Sequence, residues 1–196
     1  MSWREFTSTA EPHSIALDGF VPEGPRFKLS GPWANFNHHE EVSRLETRAT
    51  CAQVLIALRQ GLMRSFEHER LSVYVNDCDE DVCLSVFLLR YPFVAERPVD
   101  WRLNRLVAME DMLDTTGGAY AFQDSLRSLY ELLWVFEPYH QYRVAGNRID
   151  EEAEASFRRI IEAVDERIQA YLLDRAGRVM PDPRYELLFM HKILAV

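Results

Sequence analysis

Three aspartates stand on alternate positions of one short stretch, Asp77-Cys78-Asp79-Glu80-Asp81. Carboxylates crowded this closely repel one another. A divalent cation relieves the repulsion, because hard oxygen donors suit magnesium, manganese and calcium. A second group is His38-His39-Glu40. Imidazole nitrogen adds affinity for manganese, zinc or iron. Simpler readings exist for both. The acidic stretch can be a solvated turn with one Asp capping the following helix, and paired histidines can be idle on a surface turn. The acidic stretch lacks the Gly and terminal Glu of an EF-hand loop.

The flanking residues say how these groups are held. Residues 1–35 carry Pro12, Gly19, Pro22, Gly24, Pro25, Gly31 and Pro32, which leaves room only for short extended pieces such as Ser14–Leu17 and Arg26–Leu29. Trp33–Phe36 is a further strand that delivers the chain to the histidines. From Glu41 to Phe66 apolar residues recur every three to four positions, the period of a helix. Leu71–Asn76 reads as a buried strand ending at Asp77, and Val82–Arg90 as a buried helix stopped by Pro92. Both chemical groups therefore follow strands and precede helices. In a parallel sheet such strand ends open on one edge, where α/β proteins place ligands.

The second half reads as helices: Trp101–Asp114, Ala119–Tyr139, and one capped by Asp150 with an apolar stripe from Phe157 to Leu172, for which Gly177 is a plausible stop. Tyr185–Val196 is apolar and fits a strand or a helix. The expected fold is α/β over residues 1–196 as one domain: a small, mainly parallel sheet packed by helices, with a helical C-terminal half.

Further candidates surround the two groups. Asp111 and Asp114 lie one helical turn apart, and either could supply a remaining metal ligand. Gly117 and Gly118 could let backbone N–H groups approach an anion, or simply stop the helix. Arg44 and Arg48, one turn apart on the expected helix, could clamp a phosphate or carboxylate, or pair with Glu40, Glu41 or other acids. His13 is a lone histidine beside a strand, more easily structural than ligating. His68, His140 and His191 have no acid or histidine at ligand spacing. Cys51, Cys78 and Cys83 form no CxxC pair, so a structural zinc site is not expected.

Phe36-Asn37-His38-His39-Glu40, followed by Ala49-Thr50-Cys51-Ala52-Gln53-Val54, resembles the motif of the DHH phosphoesterases. There an Asp-His-His ends a strand before a helix of small residues. Asn76–Ser85 resembles the same family's Asp-x-Asp motif with its downstream Ser. Asn37 stands where the family has Asp, and the two motifs occur in exchanged order, so the resemblance is to a distant or permuted relative. It implies a two-metal hydrolase, usually manganese-dependent, acting on phosphodiesters or phosphoanhydrides.

Composition agrees with a folded protein: 47% hydrophobic and 27% charged residues in 196. The net charge of −9, with no Lys/Arg-rich run, speaks against broad nucleic-acid binding. Nearly all positive charge is arginine, the better fork for a single oxyanion. No stretch approaches the length of a membrane span or the apolar core of a leader, which points to a cytoplasmic protein. Nucleophile-elbow, P-loop and dinucleotide fingerprints are absent. The expectation is a metal-dependent hydrolase of a small anionic substrate. His38, His39, Asp77, Asp79, Asp81 and Asp111 would hold Mn2+ (or Mg2+, Zn2+ or Fe). Glu40 and Asp79 would serve catalysis. Arg44, Arg48, Gly117 and Gly118 would bind substrate, and a homo-oligomer is left open. The rival is a non-catalytic acidic protein that binds a basic partner.

Overall fold

A computed structural model describes residues 1–66, 70–97, 100–146 and 153–173. The chain opens with helix α1 (Trp3–Thr9), fixed by a capping box in which Ser2 and Glu5 satisfy each other's backbone N–H groups. Three strands follow, β1 (Ser14–Leu17), β2 (Arg26–Lys28) and β3 (Trp33–Phe36), then β4 (Ser72–Tyr74) after two helices. They form one sheet in the order β2-β3-β1-β4. β1 runs parallel to both neighbours, pairing Ser14 with Trp33 and with Ser72, while β2 is antiparallel to β3. The sheet is mixed and mostly parallel.

β1 is buried on both faces, and its period-2 alternation divides it between two cores. Ile15 and Leu17 face the main core with Ala34 and the helices. Ala16 faces the other way and packs with Phe6 of α1, Val21 and Trp33. β4 is an edge strand and only half-buried, rather than the buried strand its apolar sequence suggested. Apolar composition records that a strand packs, but not whether a neighbour lies on each side.

The helices α2 (Thr50–Arg59), α4 (Glu80–Arg90) and α6 (Trp101–Thr115) pack against one another. Short α3 (Leu62–Ser65) and α5 (Pro92–Ala95) join them. The second half is mainly helical: a 3₁₀ run over Asp124–Phe136, then α7 (Glu137–Val144) and α8 (Ala153–Leu172). The expected helix over 119–139 is thus 3₁₀ in its middle, and its end belongs to α7.

The helix expected from Glu41 begins only at Thr50. Glu41 takes a left-handed φ of 60°, and Ser43–Thr47 forms an isolated turn. Gly177, the expected helix stop, and the apolar stretch Tyr185–Val196 lie outside the described residues, as do His68, His191 and Asp150. No described helix is long and apolar enough to cross a membrane.

Candidate metal centre

The parallel strands β1, β3 and β4 end on the same edge of the sheet, and their next residues supply the site. β1 is followed by Asp18 and Gly19, β3 by Asn37, His38 and His39, and β4 leads to the start of α4 with Asp81. Asp114, on the last turn of α6, closes the group from the helical side.

Two sets of side chains converge here. Asp18, His38 and His39 each offer a ligand atom within 4.8 Å of the others, and so do His38, Asp81 and Asp114. His38 Nε2 lies 2.7 Å from Asp114 Oδ2, 3.5 Å from Asp18 Oδ1 and 3.7 Å from Asp81 Oδ2. His39 Nε2 is 2.9 Å from Asp18 Oδ1. Donors that share one ion at about 2.1 Å stand roughly 3.0–3.5 Å apart, so these spacings suit a divalent cation. The donor chemistry, carboxylate with imidazole, suits manganese, zinc or iron.

The strongest fit is in the atoms that have no partner. His38 is fully buried, yet neither Nδ1 nor Nε2 makes a hydrogen bond, and buried Asp114 Oδ2 makes none either. These last two atoms sit 2.7 Å apart without hydrogen-bond angles. Buried orphans of this kind are rare and call for a ligand or an ion. His38 Nε2 has a single lone pair, so it serves one ion. Asp18 and His39 would then complete that ion's shell or hold a second ion.

The electrostatics follow from burial. Burial alone would discharge His38, but the Asp114 and Asp18 carboxylates outweigh it and hold the imidazolium up to about 10. Burial, then the charges of Asp114 and Asp18, raises Asp81 to about 8. Burial would raise Asp18 too, but both histidines overcome it and hold Asp18 ionised well below the usual carboxylate range. Protons thus occupy the centre at neutral pH where a cation's charge would stand.

Asp81 also organises the scaffold. Its two oxygens accept the backbone N–H groups of Thr50 (2.7 Å) and Cys51 (2.6 Å). The carboxylate therefore sits on the positive end of α2. Thr50 Oγ1 donates to Asp18 Oδ1 at 3.0 Å, tying the two acids through one residue.

The other sequence candidates divide. Glu40 lies at the mouth: its Oε2 accepts from Asn37 Nδ2 at 3.0 Å. A Cβ on Gly19 would come within 3.9 Å of that oxygen and 3.8 Å of the His39 ring. Arg44 Nη2 reaches His39 Nδ1 at 2.9 Å and lies 3.6 Å from Asp114 Oδ1. Arg44 and Arg48 stand in the loop before α2 and not one turn apart on a helix.

Asp77, Asp79 and Asp111 belong to neither set. Asp79 caps α4 through Val82 N–H. Asp77 accepts from Cys78 N–H and stands 3.8 Å from Arg143. Asp111 caps the start of α2, accepting from Ala49 N–H and from Arg48, both at 2.8 Å. That pairing also occupies Arg48. The Gly117 and Gly118 N–H groups donate to the Asp114 and Leu113 carbonyls, closing α6 as a glycine stop.

His13 lies at the opposite end of β1, its ring against Phe66. His140, set aside on sequence spacing, meets Glu80 in the fold. Asp18 is not among the sequence candidates, and Asp114 stands there only as an alternative to Asp111. Asp18 carried a signal: it is the first polar residue after a strand, followed by a Gly.

No family model matches the chain, and neither does any curated protein or solved structure. The fold and the two Asp/His sets stand on their own geometry.

Proposed function

We propose that the chain is a metal-dependent hydrolase of a phosphoester or phosphoanhydride, a distant or permuted relative of the DHH phosphoesterases. The observation that carries this reading is the convergence of His38, Asp18, Asp81 and Asp114 around buried atoms that lack hydrogen bonds. Asp18, Asp81, Asp114, His38 and His39 would hold the cation, with Mn2+ the first candidate. When bound, the cation supplies Lewis-acid stabilisation and an activated water at neutral pH.

The chain's own groups do the rest. Thr50 and Cys51 N–H groups orient Asp81, so that carboxylate is positioned before any cation arrives. Glu40, exposed at the mouth beside His39, accepts the proton from the attacking water. Arg44 binds an oxygen of the anionic substrate. The rival reading, acids displayed to a basic partner, needs outward-facing carboxylates. Asp18 and Asp81 are buried, which favours the metal reading.

The test is turnover of a phosphodiester and of pyrophosphate, each with Mn2+ and with chelator. The reading expects release of product from one class, dependent on Mn2+, with Glu40→Gln lowering kcat about 100-fold or more, in the range of general-base catalysis. Stoichiometric cation uptake with no turnover of either class would leave a binding site and remove the hydrolase.

A further inference from the structure

Arg44 is held in an unusual way. Its Nη2 lies 2.9 Å from His39 Nδ1 and 3.6 Å from Asp114 Oδ1, and its Nε is buried with no hydrogen-bond partner. Its two anchors are one candidate ligand from each Asp/His set.

A guanidinium only donates. His39 Nδ1 must therefore accept, and the ring proton stands on Nε2, directed at Asp18 Oδ1 2.9 Å away. That is the nitrogen offered to the cation. An ion on Nε2 takes its lone pair and leaves the proton on Nδ1. Two donors then face each other across 2.9 Å, which neither can tolerate. Cation charge in the neighbouring set, which Asp114 shares with His38 and Asp81, competes with the guanidinium for the Asp114 carboxylate, its other anchor. Cation loading thus breaks the His39 attachment of Arg44 and weakens the Asp114 one, and a charged fork with an already orphaned Nε needs a new acceptor.

We propose that Arg44 is a cation-gated oxyanion clamp, sealed onto His39 and Asp114 in the metal-free protein and released to bind a phosphoryl oxygen once the cation is in place. The inference rests on the metal reading above and adds an order of binding to it: cation first, anion second. It also gives the metal-free protein a reason not to bind phosphate, since Arg44 is already engaged.

The test uses the full chain with 15N-labelled histidine, titrated with Zn2+, which is diamagnetic. Two-bond 1H–15N correlations report which His39 nitrogen carries the proton. Inorganic phosphate is then titrated calorimetrically into metal-free and Zn2+-loaded protein, wild type and Arg44→Ala. The expected result is a His39 proton on Nε2 without Zn2+ and on Nδ1 with it. Phosphate should bind the loaded wild type about 10-fold or more tightly than the metal-free protein, the coupling typical of linked sites. Arg44→Ala should take up Zn2+ with the same stoichiometry and lose most of that gain.

A His39 proton that stays on Nε2 in Zn2+-loaded protein overturns the clamp. So does a full phosphate gain retained by Arg44→Ala, because the ion alone then explains it. Failure of the wild type to take up Zn2+ removes the metal reading itself, and the clamp with it.

Discussion

At the level of single residues, protons occupy the metal-free centre in place of a cation. His38 is held up to about 10 and Asp81 to about 8. Both folded values lie above the unfolded ones, so each group's stabilising contribution is complete below its unfolded value. It is lost as pH rises through the folded value. The metal-free protein should therefore melt at falling temperature as pH climbs from about 6 to about 9. Added Mn2+ should raise the melting temperature more at the upper end, since fewer protons must leave. Thermal melts with and without Mn2+ across that range check this, and a metal increment that is flat with pH would contradict it. Calorimetry at neutral pH in two buffers of different ionisation enthalpy should show proton release on cation uptake. The chemistry of His38, His39 and Asp81 was legible in the sequence from residue type and position after strands. That Asp77 and Asp79 fall outside both Asp/His sets was not, because spacing cannot say whether a carboxylate meets the other ligands or a helix N–H. Asp18 and Asp114 needed the fold, being separated from the histidines by a strand pair and by four helices.

At the element scale, α2 is the piece that fixes the site, and its first turn is capped by carboxylates from two other helices. Its sequence period ran back to Glu41, yet the helix starts where Asp81 and Asp111 meet its N–H groups. A tertiary cap chose the start, and no local residue marked it. Asp111→Ala should cost about 1–2 kcal/mol of stability, the worth of a lost cap, while leaving cation stoichiometry unchanged. Chemical denaturation and metal analysis on the same sample separate these outcomes; loss of the cation would return Asp111 to the ligand set. α1, by contrast, covers the sheet's second face with Phe6, which is fully buried among Ala16, Val21 and Trp33. Phe6→Ala should destabilise by about 3–5 kcal/mol through the cavity it leaves, measured by the denaturation midpoint. No apolar run announces α1; a capping box and two aromatics, Trp3 and Phe6, are its marks.

At the scale of the whole molecule, the sheet brings three strand ends to one edge, and the helices close over it with Asp114. The mostly parallel sheet and the helical second half were readable from apolar periodicity and from strand-then-helix order. The sheet's edge positions were not, because alternation does not report neighbours. The central claim is that this edge holds a cation. Elemental analysis after dialysis against Mn2+ tests it, on wild type and Asp114→Asn, whose Oδ2 has no hydrogen bond to lose. The account predicts at least one ion per wild-type chain, and affinity weakened by about 100-fold or more in the variant, beyond the usual effect of an outer-shell group, with an unchanged circular dichroism spectrum. A wild type that retains no ion, or a variant that retains it equally well, would contradict it.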